Sequence, residues 1–241
     1  DLDGIDLQWG DIHAVDAMMK KIAHREGVGD KLANGTWESA KYFAEKKGNP
    51  DILKYSSTGH RYGQPAHGVR SHLDGNDLEY VTVDRPCEHT GGGDAGFGQD
   101  DLPAAIAGQD VKCSSDSLVY CIFAGGHWAG KTAALVQAAT GWTDFTEDDL
   151  AKVGARQYAL CRLLDIHTQQ LKDRKKEWDM LVPPRWWEPL PTGVAKGSVA
   201  LSGNPDTLFN KKLPTYWKTR GWTEDKRIPT AAKLKELGID D

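Results

Sequence analysis

The sequence predicts a mainly α-helical fold with few short strands, and three observations support this. Apolar residues recur at helical spacing along most of the chain, with Asp, Thr and Gly placed where helices need caps and ends. Alternating apolar and polar runs, which indicate strands, are scarce. At 241 residues, 39% hydrophobic and 27% charged, the chain has the composition of a globular protein of one or two domains.

The amino-terminal part is predicted to contain two helices. Asp11 can cap the first, which ends at Gly27. The second runs from about Gly29 to Lys46, is softly broken at Asn34-Gly35, and ends at Gly48-Asn49-Pro50. Four apolar residues of the first helix make a stripe at helical spacing: Ile12, Val15, Met19 and Ile22.

The central part is richer in glycine and in loop residues. Residues 55–75 lack clear periodicity and indicate a linker or a domain boundary. LEYVTV (78–83) is predicted to be a short strand, DRPCEHTGGGDAGFG (84–98) a loop, and residues 100–109 a helix.

The carboxy-terminal part is again predicted to be helical. KTAALVQAAT (131–140) indicates a short helix, and Thr146 caps a longer one with Asp149 at its third helical position. Two short helices are predicted to finish the chain, one near 206–220 and one capped by Thr230.

Charge and cysteine usage argue against several classes of protein. The formal net charge is −5 and no long basic tract is present, so neither nucleic acid nor an anionic membrane surface is an expected partner. No apolar stretch approaches the roughly 20 residues of a membrane span, and no signal peptide opens the sequence. The four cysteines (Cys87, Cys113, Cys121 and Cys161) show no C-x-x-C pairing, so a structural zinc site is not expected and the cytoplasm is the default location.

A phosphate-binding loop is one alternative source of function. GGHWAGKT (125–132) fits G-x-x-x-x-G-K-T, follows an apolar run and precedes a predicted helix. Trp128 is bulky for a turn whose backbone must wrap around phosphate, and no later predicted strand ends in the Asp that would hold Mg²⁺. A P-loop NTPase therefore stays an alternative and is not the preferred function.

Four stretches of the sequence share their patterns and their order with one enzyme family. They are KIAHREGVGDKLANGT (21–36), the segment from AATGW to RLLDI (138–166), EPLPTGVAKG (188–197), and the segment from YWKTRGW to KELGI (216–239). Together they resemble the carboxy-terminal part of the aldehyde ferredoxin oxidoreductase family, the tungsten-pterin enzymes. The resemblance implies that residues 1–58 are the tail of the family's helical middle domain and that residues 59–241 are its helical third domain.

The resemblance also implies a cofactor site. The family's D-x-x-G-L-C motif contacts a pterin through its Asp, and its Cys is the fourth ligand of a [4Fe-4S] cluster. DSLVYC (116–121) matches this motif and implies Asp116, Tyr120 and Cys121 as cofactor contacts, although Val119 and Tyr120 replace the family's Gly and Leu. A carboxylate can accept N–H bonds from a pterin, and the Cys121 thiolate can bind iron. Without the resemblance, the residues read as an exposed Asp at a strand start and a buried core Cys.

A second stretch resembles the family's segment with a histidine near the metal. YVTVDRPCEH (80–89) implies Tyr80, Arg85 and His89 as catalytic residues. An imidazole that titrates near neutral pH can move the proton released when an aldehyde hydrate is oxidised. Without the resemblance, His89 reads as a loop histidine bonded to a neighbour such as Asp84 or Glu88.

The implied function is oxidation of a small-molecule aldehyde to a carboxylate at a tungsten (or molybdenum) bis-pterin. Electrons would pass through the [4Fe-4S] cluster to ferredoxin or an electron-transfer subunit. The family's pterin-sandwiching amino-terminal domain and its C-x-x-C-x-x-x-C run have no counterpart here, so a missing amino-terminal part or a separate subunit is an expected partner. Two further functions stay open. One is a class II benzoyl-CoA reductase-like subunit acting on an acyl-CoA, since LANGT (32–36) resembles a phrase of those subunits, and the second is a non-catalytic helical scaffold.

Overall fold

The computed structural model confirms the mainly α-helical prediction in the part of the chain that it describes. The described residues are 2–56, 58–59, 62–63, 77–83, 102–119, 121, 130–167, 184–199, 205–225 and 227–239. Among them, the only paired strands are β1 (Thr58–Gly59) and β2 (Tyr62–Gly63), which form one short antiparallel pair.

The helices of the described residues are numbered in chain order. Helix α9 consists of three consecutive stretches: Pro205–Thr207, a π-helical segment Leu208–Lys212, and Leu213–Thr219. A 3-10 turn covers Pro184–Trp187. The other helices are α1 (Ile12–His24), α2 (Val28–Leu32), α3 (Thr36–Lys47), α4 (Ile52–Tyr55), α5 (Asp77–Thr82), α6 (Leu102–Ser117), α7 (Thr132–Thr140), α8 (Glu147–His167) and α10 (Ala231–Leu237).

Helix α1 begins as predicted, and the residues that it buries lie outside the predicted apolar stripe. The Asp11 carboxylate caps it by accepting hydrogen bonds from the backbone N–H groups of His13 at 2.9 Å and Ala14 at 3.1 Å. Ala14 and Met18 are its buried residues, whereas Ile12, Val15 and Met19 of the predicted apolar stripe are exposed. Residue spacing identified an apolar stripe, but it could not show which apolar residues of the helix pack against the rest of the chain.

The predicted strand at 78–83 is wrong, because these residues form helix α5. Leu78, Tyr80 and Val81 are all buried, and the Thr82 hydroxyl donates to the carbonyl of Leu78 one turn earlier at 2.7 Å. Tertiary packing therefore overrides the strand preference of the aromatic and β-branched residues in this segment.

The predicted helix starts in the carboxy-terminal part are confirmed. Thr146 and Asp149 form a reciprocal capping box: the Asp149 carboxylate accepts from the Thr146 N–H at 2.9 Å, and the Thr146 hydroxyl accepts from the Asp149 N–H at 3.2 Å. The Thr230 hydroxyl caps α10 by accepting from the N–H of Lys233 at 3.2 Å. These caps are local chemistry, which is why sequence alone predicted them.

The core of the larger helical part lies where α6 packs against α8. Gly154 of α8 faces the backbone of Asp110 on α6 so closely that a Cβ atom at position 154 would overlap the Asp110 carbonyl oxygen. Aromatic rings of α8, of α9 and of the segment after α9 close the other side: Tyr158 lies 5.5 Å from Trp222, which follows α9, and Trp222 stacks on Trp217 at 5.2 Å. The missing side chain at Gly154 therefore sets how closely the two helices approach.

We expect Gly154→Ala to destabilise the protein by about 1–3 kcal/mol or more, because the added methyl group must push α8 away from the α6 backbone. Urea denaturation of the wild-type and variant chains measures the change. Lys152→Ala, at an exposed position on the same helix, is the control and should change stability by less than about 0.5 kcal/mol. Equal stability of the two variants would contradict the expected steric conflict.

Among the described residues, no helix combines the length and the apolar character that crossing a bilayer requires.

Candidate functional site

The predicted cofactor ligand Asp116 lies in the last turn of α6 and reaches solvent. Its side chain is 38% exposed, and its Oδ1 atom is held by the ammonium group of Lys112, one turn earlier on the same helix. The Lys112 side chain itself is buried. Asp116 therefore does not start a strand, as the alternative interpretation required; it is an exposed carboxylate fixed at a helix end.

Val119 has a backbone conformation of the kind that glycine adopts most easily. Helix α6 ends just before it, and the Val119 N–H donates to the carbonyl of Asp116 at 3.0 Å. Val119 has a φ of +59°, in the left-handed region that favours glycine, and its side chain is 90% exposed. A β-branched residue there stores strain of about 1–3 kcal/mol. The chain thus keeps a glycine-type backbone without the glycine.

We expect Val119→Gly to raise the free energy of unfolding by about 1 kcal/mol, because it removes the left-handed strain while its exposed side chain contributes little packing. Thermal unfolding should show an increase of about 2–4 °C. The neighbouring Leu118→Gly is the control: Leu118 has no positive φ, so glycine there should destabilise by about 0.5–1 kcal/mol. A Val119→Gly variant less stable than the wild type would contradict this interpretation.

Cys121 is exposed, whereas the other described cysteines lie deeper. Cys113 is buried in the core and Cys161 is half-buried. The alternative that Cys121 is a buried core cysteine is therefore wrong. The Cys121 thiol is therefore accessible to a group that approaches from outside the described residues. The predicted contact Tyr120 is not among the described residues.

Of the second predicted group, the structure describes only Tyr80. Its side chain is buried in α5 and packs edge-to-face against Trp186, with ring centroids 5.6 Å apart. Arg85 and His89 lie outside the described residues, so their predicted roles stay predictions.

A buried polar network, which sequence reasoning missed, ties α5 to α6, α8 and α9. The Gln109 side-chain amide of α6 donates to the Thr82 hydroxyl of α5 at 2.8 Å, and the Tyr158 hydroxyl donates to the Thr82 carbonyl. The Tyr216 hydroxyl of α9 hydrogen bonds to Gln109 and lies 3.3 Å from the Tyr158 hydroxyl. The network therefore reaches the last residue of α5, after which the chain continues toward Arg85 and His89.

An ion pair anchors the α9 side of this network. The buried Arg220 guanidinium donates through both terminal nitrogens to Asp110 Oδ1, at 2.9 and 2.8 Å, and lies 3.8 Å from the ring centroid of Tyr158. Burial raises the pKa of Asp110, and the positive charge of Arg220 only partly offsets that rise. Burial also opposes the charge of Arg220, but attraction from Tyr216, Tyr158 and Asp110 outweighs it and raises the pKa of Arg220.

The hydrogen-bond network connects the helix that carries Tyr80 with the helix that carries Asp116. Gln109 and Asp110 belong to the helix whose end carries Asp116, and Thr82 closes the helix that carries Tyr80. One sequence signal could have identified part of it: the phrase YWKTRGW (216–222) contains both Tyr216 and Arg220. The remaining partners lie too far along the chain for any local pattern to join them.

The described residues do not form a complete metal site by themselves. Within them, no three His, Cys, Asp or Glu side chains converge as metal ligands. For the alternative P-loop, residues 122–129 lie outside the described part, while Thr132 begins α7, so the predicted helix after the motif is confirmed.

Comparison with known proteins finds similarity along nearly the whole chain. Residues 1–239 match the family described as aldehyde ferredoxin oxidoreductase, domains 2 and 3. A tungsten-containing aldehyde ferredoxin oxidoreductase of Pyrococcus furiosus is 32% identical over 97% of this chain and 38% of its own length. The corresponding enzyme of Thermococcus kodakarensis is 31% identical over 97% of the chain and 38% of its own length. An aliphatic sulfonate oxidoreductase, WOR-like subunit, of P. furiosus is 31% identical over 99% of the chain and 36% of its own length. The chain thus spans less than two-fifths of the length of these curated relatives.

Proposed function

The chain belongs to the aldehyde ferredoxin oxidoreductase family, and on that premise we propose that it is the carboxy-terminal portion of a tungsten- or molybdenum-pterin enzyme. The proposed reaction oxidises an aldehyde to a carboxylate: one water supplies the oxygen, and two electrons and three protons leave. The two proposed domains are residues 1–58, the tail of the family's middle domain, and residues 59–241, its third domain.

One observation carries this proposal beyond family membership. Asp116 and Cys121 are both exposed at the same end of α6, although most of the last third of that helix is buried. The helix ends at Ser117, and the carboxylate one residue before that end and the thiol four residues after it both lie at the surface. Both groups are suited to a ligand that approaches from outside the described residues.

The donor chemistry of these residues fits the implied cofactors, but only as part of a larger site. Lys112 holds Oδ1 of Asp116, and among the described residues no hydrogen bond or ion pair is made to Oδ2, which can accept an N–H bond from a pterin edge. Cys121 can supply one thiolate, whereas a [4Fe-4S] cluster needs four ligands. The remaining ligands must come from another polypeptide or from another part of the same one.

The residues of this chain are proposed to bind iron, to orient the pterin and to accept a proton. When bound, the metal-pterin and the cluster supply two-electron oxidation and single-electron transfer to ferredoxin. Asp116 would orient the pterin, Cys121 would ligate iron, and Tyr120 would lie between them. His89 would accept a proton from the aldehyde hydrate, and Arg85 would stabilise the anionic product. The burial of Tyr80 supports a role in anchoring the helix from which that segment emerges.

Metal analysis of the native assembly tests the proposal. We expect tungsten or molybdenum together with iron, and ferredoxin reduction that depends on an added aldehyde such as benzaldehyde. Parallel assays with benzoyl-CoA and an aliphatic sulfonate separate the related reactions, since one relative is named for sulfonate. Absence of both tungsten and molybdenum would refute the proposal. ATP binding that is lost in Lys131→Ala would instead favour the P-loop alternative.

A further inference from the structure

Lys112 of α6 is a buried cation whose partner is the proposed pterin contact. Its side chain is 7% exposed, and its ammonium group binds Oδ1 of Asp116 one turn later. The nearby hydroxyls of Ser114 and Ser115 instead donate to the backbone carbonyl of Val111, at 2.7 and 2.9 Å. Among the described residues, Asp116 is the side chain that pairs with this ammonium group, so the two charges depend on each other.

Three physical effects oppose this ion pair, so a gain in stability does not explain it. Asp116 lies in the last turn of α6, where the helix dipole is negative and a carboxylate is unfavourable. A lysine that precedes its acidic partner by one turn is the weaker of the two possible orders. Burial of the Lys112 ammonium costs free energy, which attraction to one partly exposed carboxylate offsets incompletely. Such departures from local preference are expected at functional sites.

A second pair of the same residue types shows the ordinary arrangement. Asp16 precedes Lys20 by one turn on α1, their charged atoms lie 2.8 Å apart, and their side chains are 63% and 70% exposed. The acid-first order and the exposure to solvent keep both charges at little cost. The pair at the end of α6 differs in order and in burial, and its carboxylate stands five residues before the exposed Cys121 in the sequence.

The proposed ligands would add negative charge at this end of α6. Cys121 would bind iron as a thiolate, and a cluster held by four thiolates has a net negative charge. Like charges at close range repel each other unless a cation lies beside them. The last turn of α6 contains no basic residue, so the cation that serves Asp116 comes from the turn before it, as Lys112.

We infer that Lys112 is a positioning residue for the proposed pterin site. Its ammonium group fixes one oxygen of Asp116, leaves Oδ2 to accept an N–H bond from the pterin edge, and balances the added negative charge. A residue that acts in this way acts through the carboxylate, so its effect on the pterin should vanish when the carboxylate is removed. This inference rests on the proposed function, because it needs a pterin beside Asp116.

Retention of pterin by the native assembly tests the inference. The assembly is purified with the wild-type chain, with Lys112→Met, with Asp116→Asn and with both changes, and the fluorescence of released, oxidised pterin gives the rate of pterin loss after dilution. We expect Lys112→Met to accelerate the loss by about 10-fold or more, as the removal of a group that supports a ligand contact does. In the Asp116→Asn background, the same change should alter the rate by less than about 2-fold. Lys112→Arg keeps the positive charge and should hold the rate within about 3-fold of the wild type.

Two controls separate positioning of the carboxylate from support of the fold. Lys20→Met removes the exposed ion pair of α1 and should leave the rate of pterin loss within about 2-fold of the wild type. The iron content of the Lys112→Met assembly should stay at the wild-type level, because the proposed iron ligand Cys121 is retained.

Three results would overturn the inference: a rate of pterin loss that Lys112→Met leaves unchanged, equal acceleration with and without the Asp116 carboxylate, or loss of iron together with pterin. A wild-type assembly that holds no pterin, tungsten or molybdenum would refute the proposed reaction, and this inference with it. A wild-type assembly that holds them, and loses them no faster after Lys112→Met, would overturn this inference alone.

Discussion

If Cys121 is the cluster ligand proposed above, its replacement by serine is expected to remove the proposed [4Fe-4S] cluster from the native assembly. Cys121 is the exposed thiol among the described cysteines, and the resemblance of DSLVYC to the family motif makes it the proposed fourth ligand. Loss of a residue that merely supports a metal ligand costs about 10- to 100-fold in activity or metal affinity, so loss of a ligand should exceed about 100-fold. We therefore expect aldehyde-dependent ferredoxin reduction to fall by more than about 100-fold. Iron content and the electron paramagnetic resonance signal of the reduced cluster should fall with it.

Cys161→Ser is the matched control for this experiment. Cys161 is half-buried on α8, away from the family motif, and its replacement should leave iron content at the wild-type level. Equal iron loss in both variants would indicate a general folding defect and not a lost ligand. Full iron content in Cys121→Ser would contradict the proposed role of this residue.

Replacement of Arg220 by methionine is expected to have the largest effect on stability, about 3–5 kcal/mol at pH 7. Arg220 and Asp110 are both largely buried, so removal of the guanidinium leaves a buried carboxylate without its counter-charge. The stacking of Arg220 on the Tyr158 ring is lost as well. Urea denaturation gives the free energy of unfolding for the wild type and the variant.

The size of this effect should depend on pH in a defined direction. Burial raises the pKa of Asp110 in the folded protein above its ordinary value of 3.8. Between that ordinary value and the raised pKa, the folded protein therefore binds more protons than the unfolded chain. Stability from this group is therefore present at low pH and is lost as pH rises through that window. Arg220→Met removes the influence that lowers the pKa, which extends the window to higher pH. The destabilisation should be smaller at pH 4 than at pH 7.

Two further variants isolate the cause. Arg220→Met combined with Asp110→Asn removes both charges and should recover a large part of the stability lost in the single variant. Lys218→Met, exposed on the same helix, should change stability by less than about 0.5 kcal/mol. A loss below about 1 kcal/mol in Arg220→Met at pH 7, or equal losses at both pH values, would contradict the role given to this ion pair.

Several features of this protein were determined by sequence over short distances. The caps at Asp11, Thr146 and Thr230 were predicted correctly because each depends on hydrogen bonds to N–H groups within three residues along the chain. Family membership was likewise contained in quoted phrases, each a continuous stretch of residues. The stretch from Asp116 to Cys121 was singled out in the same way, and its two proposed cofactor contacts that the structure describes, Asp116 and Cys121, are exposed.

Tertiary structure alone decided which apolar and polar groups meet. The sequence of α5 favours a strand, yet burial of Leu78, Tyr80 and Val81 makes it a helix. Arg220 and Asp110 are 110 residues apart, and no local pattern joins them. The apolar stripe of α1 is a further example, since residue spacing predicts the stripe but does not predict which of its residues are covered. Helix caps and sequence motifs involve residues that are neighbours in the chain. Burial and buried ion pairs instead depend on how helices that are distant in sequence pack together, so they can be identified only in the folded structure.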